Sequence, residues 1–174
     1  MVTHVPCAPP DSDSMDRMYC QIVWTTRQRA SLIDAGLAAF LCRYLRAVAS
    51  QEHVRILQIG MVSTHLHLLV RLRPTTDVSH LLQRFKGGSA AVAGKERHST
   101  DGHVLRWAKG YSIHSISPRD VAPVRAYVHG QPTHHPELAI PGWDGDPGEF
   151  EAAGDDEWRS EMRRSGRARP KRRG

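Results

Sequence analysis

The chain has 174 residues, 40% of them apolar and 24% charged, enough for one domain with a packed core and a spare tail. No run of about 18 apolar residues exists, and no basic segment followed by an apolar one opens the chain, so neither a membrane-spanning helix nor a signal peptide is expected. The formal net charge of +6 favours a polyanionic partner, although much of it sits in the stretch RRSGRARPKRRG.

Residues 1–16 are rich in Pro, Asp and Ser and read as a flexible arm. Tyr19 to Thr26 (YCQIVWTT) is β-branched and aromatic, a first strand. From Asp34 to Ser50, Leu37, Phe40, Leu41, Tyr44, Leu45 and Val48 recur at helical spacing. Val54 to Val62 and His65 to Arg73 are two strands joined at Ser63-Thr64, a hairpin. Asp77 is placed to cap a second helix through Val78, Leu81, Leu82 and Phe85, loosened at Gly87-Gly88. Val104 to Ser117 suggests a fourth strand, and Ser117-Pro118 starts a third helix with the stripe Val121, Val124 and Val128. Cys7, Cys20 and Cys42 form no CxxC pair, which argues against a disulfide framework or cysteine zinc site and fits a cytoplasmic protein.

The order β-α-β-β-α-β-α predicts an α+β fold: a ferredoxin-like split βαβ antiparallel sheet with an added C-terminal helix that bears Tyr127. The domain is expected over residues 17–136, followed over 137–174 by an acidic and then basic disordered tail.

His65-Leu66-His67 opens the third strand. Residues i and i+2 share a strand face, so the imidazoles project together while Leu66, Leu68 and Val70 project oppositely. With the first two helices covering the leucine side, the histidines are expected on the open face, where two neutral imidazoles can chelate a divalent cation. Two ordinary polar residues on a half-exposed strand remain the bland alternative. On the third helix, Tyr127 and Gln131 are four residues apart and share a face. The phenol could reach a metal held by the histidines, and the Gln131 carbonyl could be a third ligand. A tyrosine packed on the sheet and a glutamine at a helix end is the alternative, and Gly130 and Pro132 could leave Gln131 mobile.

Taken together, His65-Leu66-His67, Trp107-Ala108-Lys109-Gly110-Tyr111, Tyr127 with Gln131, and the pair His134-His135 resemble the single-tyrosine HUH transposases of bacterial and archaeal insertion sequences. The resemblance spans about residues 17 to 136 and includes the IVWTT strand and the LLQRFKGGSA helix. Relatives associated with repetitive extragenic palindromes usually continue the tyrosine helix with Asn-Pro, so Gln131 and the histidine pair place this chain nearer the mobile-element branch. The resemblance implies metal-dependent cleavage and rejoining of single-stranded DNA at hairpin-bearing element ends. Tyr127 would be the nucleophile, giving a 5′-phosphotyrosine, and His65, His67 and Gln131 would hold Mg2+ or Mn2+.

The resemblance also implies a homodimer in which one chain's tyrosine helix completes the other's histidine site, and the junctions at Ser117-Pro118 and Gly130 suit such an exchange. Arg71, Arg84 and Lys86 are candidates for a phosphate track, with Trp107 and Tyr111 for base stacking. Three other readings compete: a domesticated relative that cuts palindromic hairpins without transposition, a protein that only binds them, and a zinc protein, for which no HExxH or paired Cys/His spacing appears.

Overall fold

The computed structural model describes residues 18–96, 104–146 and 148. The expected N-terminal arm and most of the expected tail lie outside them. Strand β1 (Met18–Thr25) leads through a 3-10 turn to helix α1 (Ala35–Gln51), then to the hairpin of β2 (Arg55–Val62) and β3 (His65–Leu72). Helix α2 (Val78–Leu82) runs through a π-helical segment (Gln83–Gly88) into α3 (Ser89–Glu96). Strand β4 (Ser112–Ile116) precedes a 3-10 turn (Pro118–Asp120), helix α4 (Val121–His129) and the short α5 (Gln131–His134).

The strands form one sheet in the order β2-β3-β1-β4, every neighbour antiparallel, as the split βαβ pattern requires. Both early helices start as the sequence predicts. Asp34 accepts from the backbone N–H of Leu37 at 2.8 Å and Asp77 from that of His80 at 3.0 Å. The main core joins Ile22 and Trp24 of β1, Leu66, Leu68 and Val70 of β3, and Leu37, Leu41 and Leu45 of α1. A smaller cluster on the opposite face holds Leu57, Leu69 and Val128, with Val121 and Val124 packed against it. The expected valine stripe therefore docks α4 on the second face of the sheet, and β3 is buried on both sides.

Four expectations need correction. The fourth strand is confined to Ser112–Ile116; before it, only Trp107 makes a bridge, to Thr26. The reason is that residues 107–110 are held by side chains. Lys86 Nζ donates to the carbonyls of Ala108, Lys109 and Gly110 at 2.9, 3.2 and 2.7 Å, and Trp107 Nε1 to Ser89 Oγ at 3.0 Å. The Ser117 side chain makes no cap bond at the start of the last helical region. Gln131 is not mobile but fully buried, because the chain restarts a helical turn after Gly130 and folds it against β2. The ordered chain also continues past Pro136: Ile140 is 4% exposed within the main core, Trp143 packs on it, and Asp146 is 5% exposed.

A contact at Gly60 fixes the height of α4 above the sheet. A Cβ at that position would lie 1.9 Å from the Val128 carbonyl oxygen, so only glycine lets helix and strand backbones approach this closely.

Candidate active site

Strand alternation places His65 and His67 on one face of β3, their ring centroids 5.2 Å apart. That face is not open, contrary to the expectation: α4 and α5 cover it, and the histidines are 7% and 8% exposed. The Gly60 contact allows this cover, and Tyr127 on α4 comes within 6.1 Å of His67, centroid to centroid. Tyr127 itself is 43% exposed, so a phenol beside two buried imidazoles still faces solvent.

Each histidine is oriented through Nδ1. Gln21 Nε2 on β1 lies 3.1 Å from His67 Nδ1, and Thr64 Oγ1 lies 3.0 Å from His65 Nδ1. Thr64 Oγ1 can accept from His65 Nδ1–H, which leaves His65 Nε2 for another partner, whereas the Gln21 amide must turn its oxygen to His67 Nδ1 before that ring's Nε2 is freed in the same way. Sequence reasoning missed both groups. Thr64 directly precedes His65 and could have been suspected, whereas Gln21 becomes a neighbour only through pairing of β1 with β3.

Gln131 completes the set. Its Nε2 donates to the Tyr127 carbonyl at 3.3 Å, and its buried Oε1 makes no hydrogen bond by geometry. Burial depresses the pKa of His65; the His135 charge adds to the fall, and the nearby Gln131 amide opposes it. Burial, then the His65 and His135 charges, lower His67 to about 4. Both imidazoles are therefore neutral at pH 7 and able to donate lone pairs. The buried amide oxygen has a contact to the His65 ring that falls short of hydrogen-bond geometry, and an oxygen left so is costly unless something else satisfies it. Two imidazole nitrogens and an amide oxygen fit a divalent ion such as Mg2+ or Mn2+. Among the described residues no three His, Cys, Asp or Glu side chains form a metal-holding group.

The His134-His135 pair, which had no assigned role, splits its contacts. The His134 ring lies 4.8 Å from that of Tyr127, tilted by 31°, and the His135 ring meets His65 edge-on at 5.2 Å.

The suggested DNA contacts are dispersed. Arg71 is on the histidine side of β3 but 9% exposed. Arg84 pairs with Glu52 and Gln51, holding the Glu52 carboxyl below its usual range. Lys86 is spent on the three loop carbonyls, and Trp107 packs edge-on against Trp24 at 5.8 Å. Tyr111 is 46% exposed, with Lys86 Nζ 5.9 Å from its ring centre, and offers the accessible aromatic surface of the group. No helix among the described residues is long and apolar enough to cross a membrane.

The Tyr127 helix packs on the sheet of its own chain, beside His65, His67 and Gln131.

Comparison with known proteins adds an independent line. Residues 14–131 match the model of the family described as Transposase IS200 like. Over 115 residues the chain is 23% identical to the ISDra2 transposase TnpA of Deinococcus radiodurans, covering 63% of this chain and 81% of that one. A crystal structure of a transposase from D. radiodurans superposes with a TM-score of 0.51 at 20% identity, over 66% of this chain and 91% of the other. A REP-associated tyrosine transposase bound to a REP hairpin gives 0.55 at 16% identity, over 78% and 90%. At these identities the two structures establish a shared fold.

Proposed function

The chain belongs to the IS200-like transposase family, and from that premise we propose that it cuts and rejoins single-stranded DNA at hairpin-bearing element ends through Tyr127. The observation that carries this reading is the convergence of two neutral imidazoles, a buried unsatisfied amide oxygen and an exposed phenol on one side of the sheet.

His65, His67 and Gln131 would hold the divalent ion, which when bound withdraws charge from a non-bridging phosphate oxygen. Gln21 and Thr64 keep the imidazoles in register, and the cover of α4 and α5 keeps bulk water from them. The Tyr127 oxygen attacks phosphorus and gives its proton to the water at its exposed edge. The bond to the 3′-oxygen breaks, and that oxygen takes up a proton as it leaves. The 5′-phosphotyrosine retains the ester bond energy, so a second 3′-hydroxyl can attack it and restore a phosphodiester without ATP. The resemblance in fold to a hairpin-bound structure supports a folded single strand as substrate.

The test is incubation with labelled hairpin oligonucleotides and Mg2+ or Mn2+, followed by denaturing electrophoresis. Wild type should form a covalent adduct. Tyr127→Phe should form none yet bind the hairpin within about twofold of wild type, since only the attacking oxygen is lost. An adduct with the Phe variant would move the nucleophile elsewhere. A homodimer with exchanged helices is a second reading, favoured by the exposed turn Pro118–Asp120 that leads into α4 without a side-chain cap. Co-expressing Tyr127→Phe with His65→Ala chains restores activity only if sites are shared between chains.

A further inference from the structure

Away from the site, a buried polar network links the segment after α5 to the helix that bears Tyr127. Ser63 N–H donates to the Leu138 carbonyl at 2.8 Å, and Ile59 N–H to Asp146 Oδ2 at 3.2 Å. The chain thus runs back along the outer edge of β2, anchored by buried Ile140 and by Trp143. Asp146, 5% exposed, also accepts from Arg46 Nη2 of α1 at 2.6 Å.

Gln58, 2% exposed, stands between this segment and α4. Its Nε2 donates to the Asp146 carbonyl at 2.9 Å and lies 3.4 Å from His129 Nδ1. Its Oε1 accepts from Arg125 Nε at 3.4 Å. Arg125 and His129 are one turn apart on α4 and bracket Tyr127 in sequence. Gly148 closes over the amide: with φ +75°, a Cβ there would lie 2.6 Å from Gln58 Oε1 and 3.1 Å from Arg125 Nη2.

We propose that residues 138–146 form a strap in which Asp146, acting through Gln58, fixes α4 on the chain's own sheet, making Asp146 and Gln58 positioning residues for Tyr127. The inference rests on Tyr127 being the nucleophile only for its effect on catalysis. Its physical basis is the weakness of the apolar dock. Three valines on a nine-residue helix hold α4 down but define poorly how it rolls about its axis. Hydrogen bonds are directional, and those to Arg125 and His129 set the roll, hence the approach of the phenol to the His67 ring. The strap lies beyond residue 131, where the family match stops.

The test compares full-length wild type with Gln58→Leu and the near-isosteric Asp146→Asn. One measurement is hydrogen exchange of amides 121–129 against those of β1 and β3. The other is the rate of adduct formation at saturating hairpin, alongside hairpin affinity. Both variants should exchange faster in 121–129 by about tenfold with the strands unchanged. The adduct rate should fall by about tenfold with affinity within about twofold, and Asp146→Glu should recover part of the rate. Wild-type exchange in 121–129 for both variants overturns the strap whether or not the chain makes an adduct. Faster exchange with an unchanged adduct rate overturns its role in positioning. If wild type forms no adduct while exchange responds as expected, the strap stands and the nucleophile assignment falls.

Discussion

The two faces of β3 are equally buried and chemically opposite. One side presents Leu66, Leu68, Val70 and Leu72 to α1 and the helices after β3; the other presents His65, His67, Leu69 and Arg71 to α4 and α5. The leucine side is covered by long elements that bury a continuous core, and its contribution to stability scales with the apolar area removed from water. The histidine side is covered by a nine-residue and a four-residue helix over a cluster centred on three residues. That cover adds little stability and instead dries and orients two imidazoles. A strand can thus be a structural beam on one side and a chemical platform on the other, and the two roles should come apart under mutation.

The sharpest separation pairs neighbours. Leu68→Ala should destabilise the fold by about 2–5 kcal/mol, while the folded fraction still cleaves, because a cavity opens on the core side. His67→Ala should cost about 100-fold or more in cleavage with a much smaller change in melting temperature. Urea unfolding and single-turnover cleavage on the two variants check this; similar losses in both assays for both variants would dissolve the contrast.

Titration separates the faces next. His67 is held near 4 when folded, against about 6.5 when unfolded, so the unfolded chain binds the extra proton between those values. Stability is therefore fully present above about pH 6.5 and falls as pH drops toward 4, by about 3 kcal/mol for a shift of this size. Burial, the first cause of the shift, belongs to the α4 cover. In chelator, His67→Gln should lose less stability than wild type between pH 7 and 4. Parallel urea midpoints for the two would remove the histidine from the account.

The smallest effect concerns the cover itself. Gly60→Ala drives a methyl into the Val128 carbonyl oxygen and should cost about 1–3 kcal/mol as α4 lifts. Adduct formation should fall further than the stability loss explains, with hairpin affinity nearly kept. An adduct rate equal to wild type would mean that the helix can rise without moving the phenol out of reach.

Much of this was legible in the chain. Alternation along HLHLLV separates the two faces, Asp77 announces its helix, and Val121, Val124 and Val128 mark the docking side of α4. What was hidden depends on distance along the chain. Gln21 reaches His67 across 46 residues and Asp146 reaches Arg46 across 100, pairings that no local pattern encodes. Ile140 and Trp143 are single anchors amid Gly and Pro, without a period, so an ordered strap looked like the start of a loose tail. Arg84 and Lys86 read as phosphate contacts because sequence shows charge but not the Glu52 carboxylate and loop carbonyls that engage it.

The lysine in the π-helical segment carries a consequence for chemical labelling. Its three ammonium hydrogens all meet carbonyls of residues 108–110, and burial lowers its pKa. While those bonds hold, the nitrogen has no lone pair to offer an acylating reagent, and once they open it returns to water and reacts as an ordinary lysine. Acylation of Lys86 is thus gated by release of the segment that presents Tyr111, and its rate counts the openings of that loop one molecule at a time.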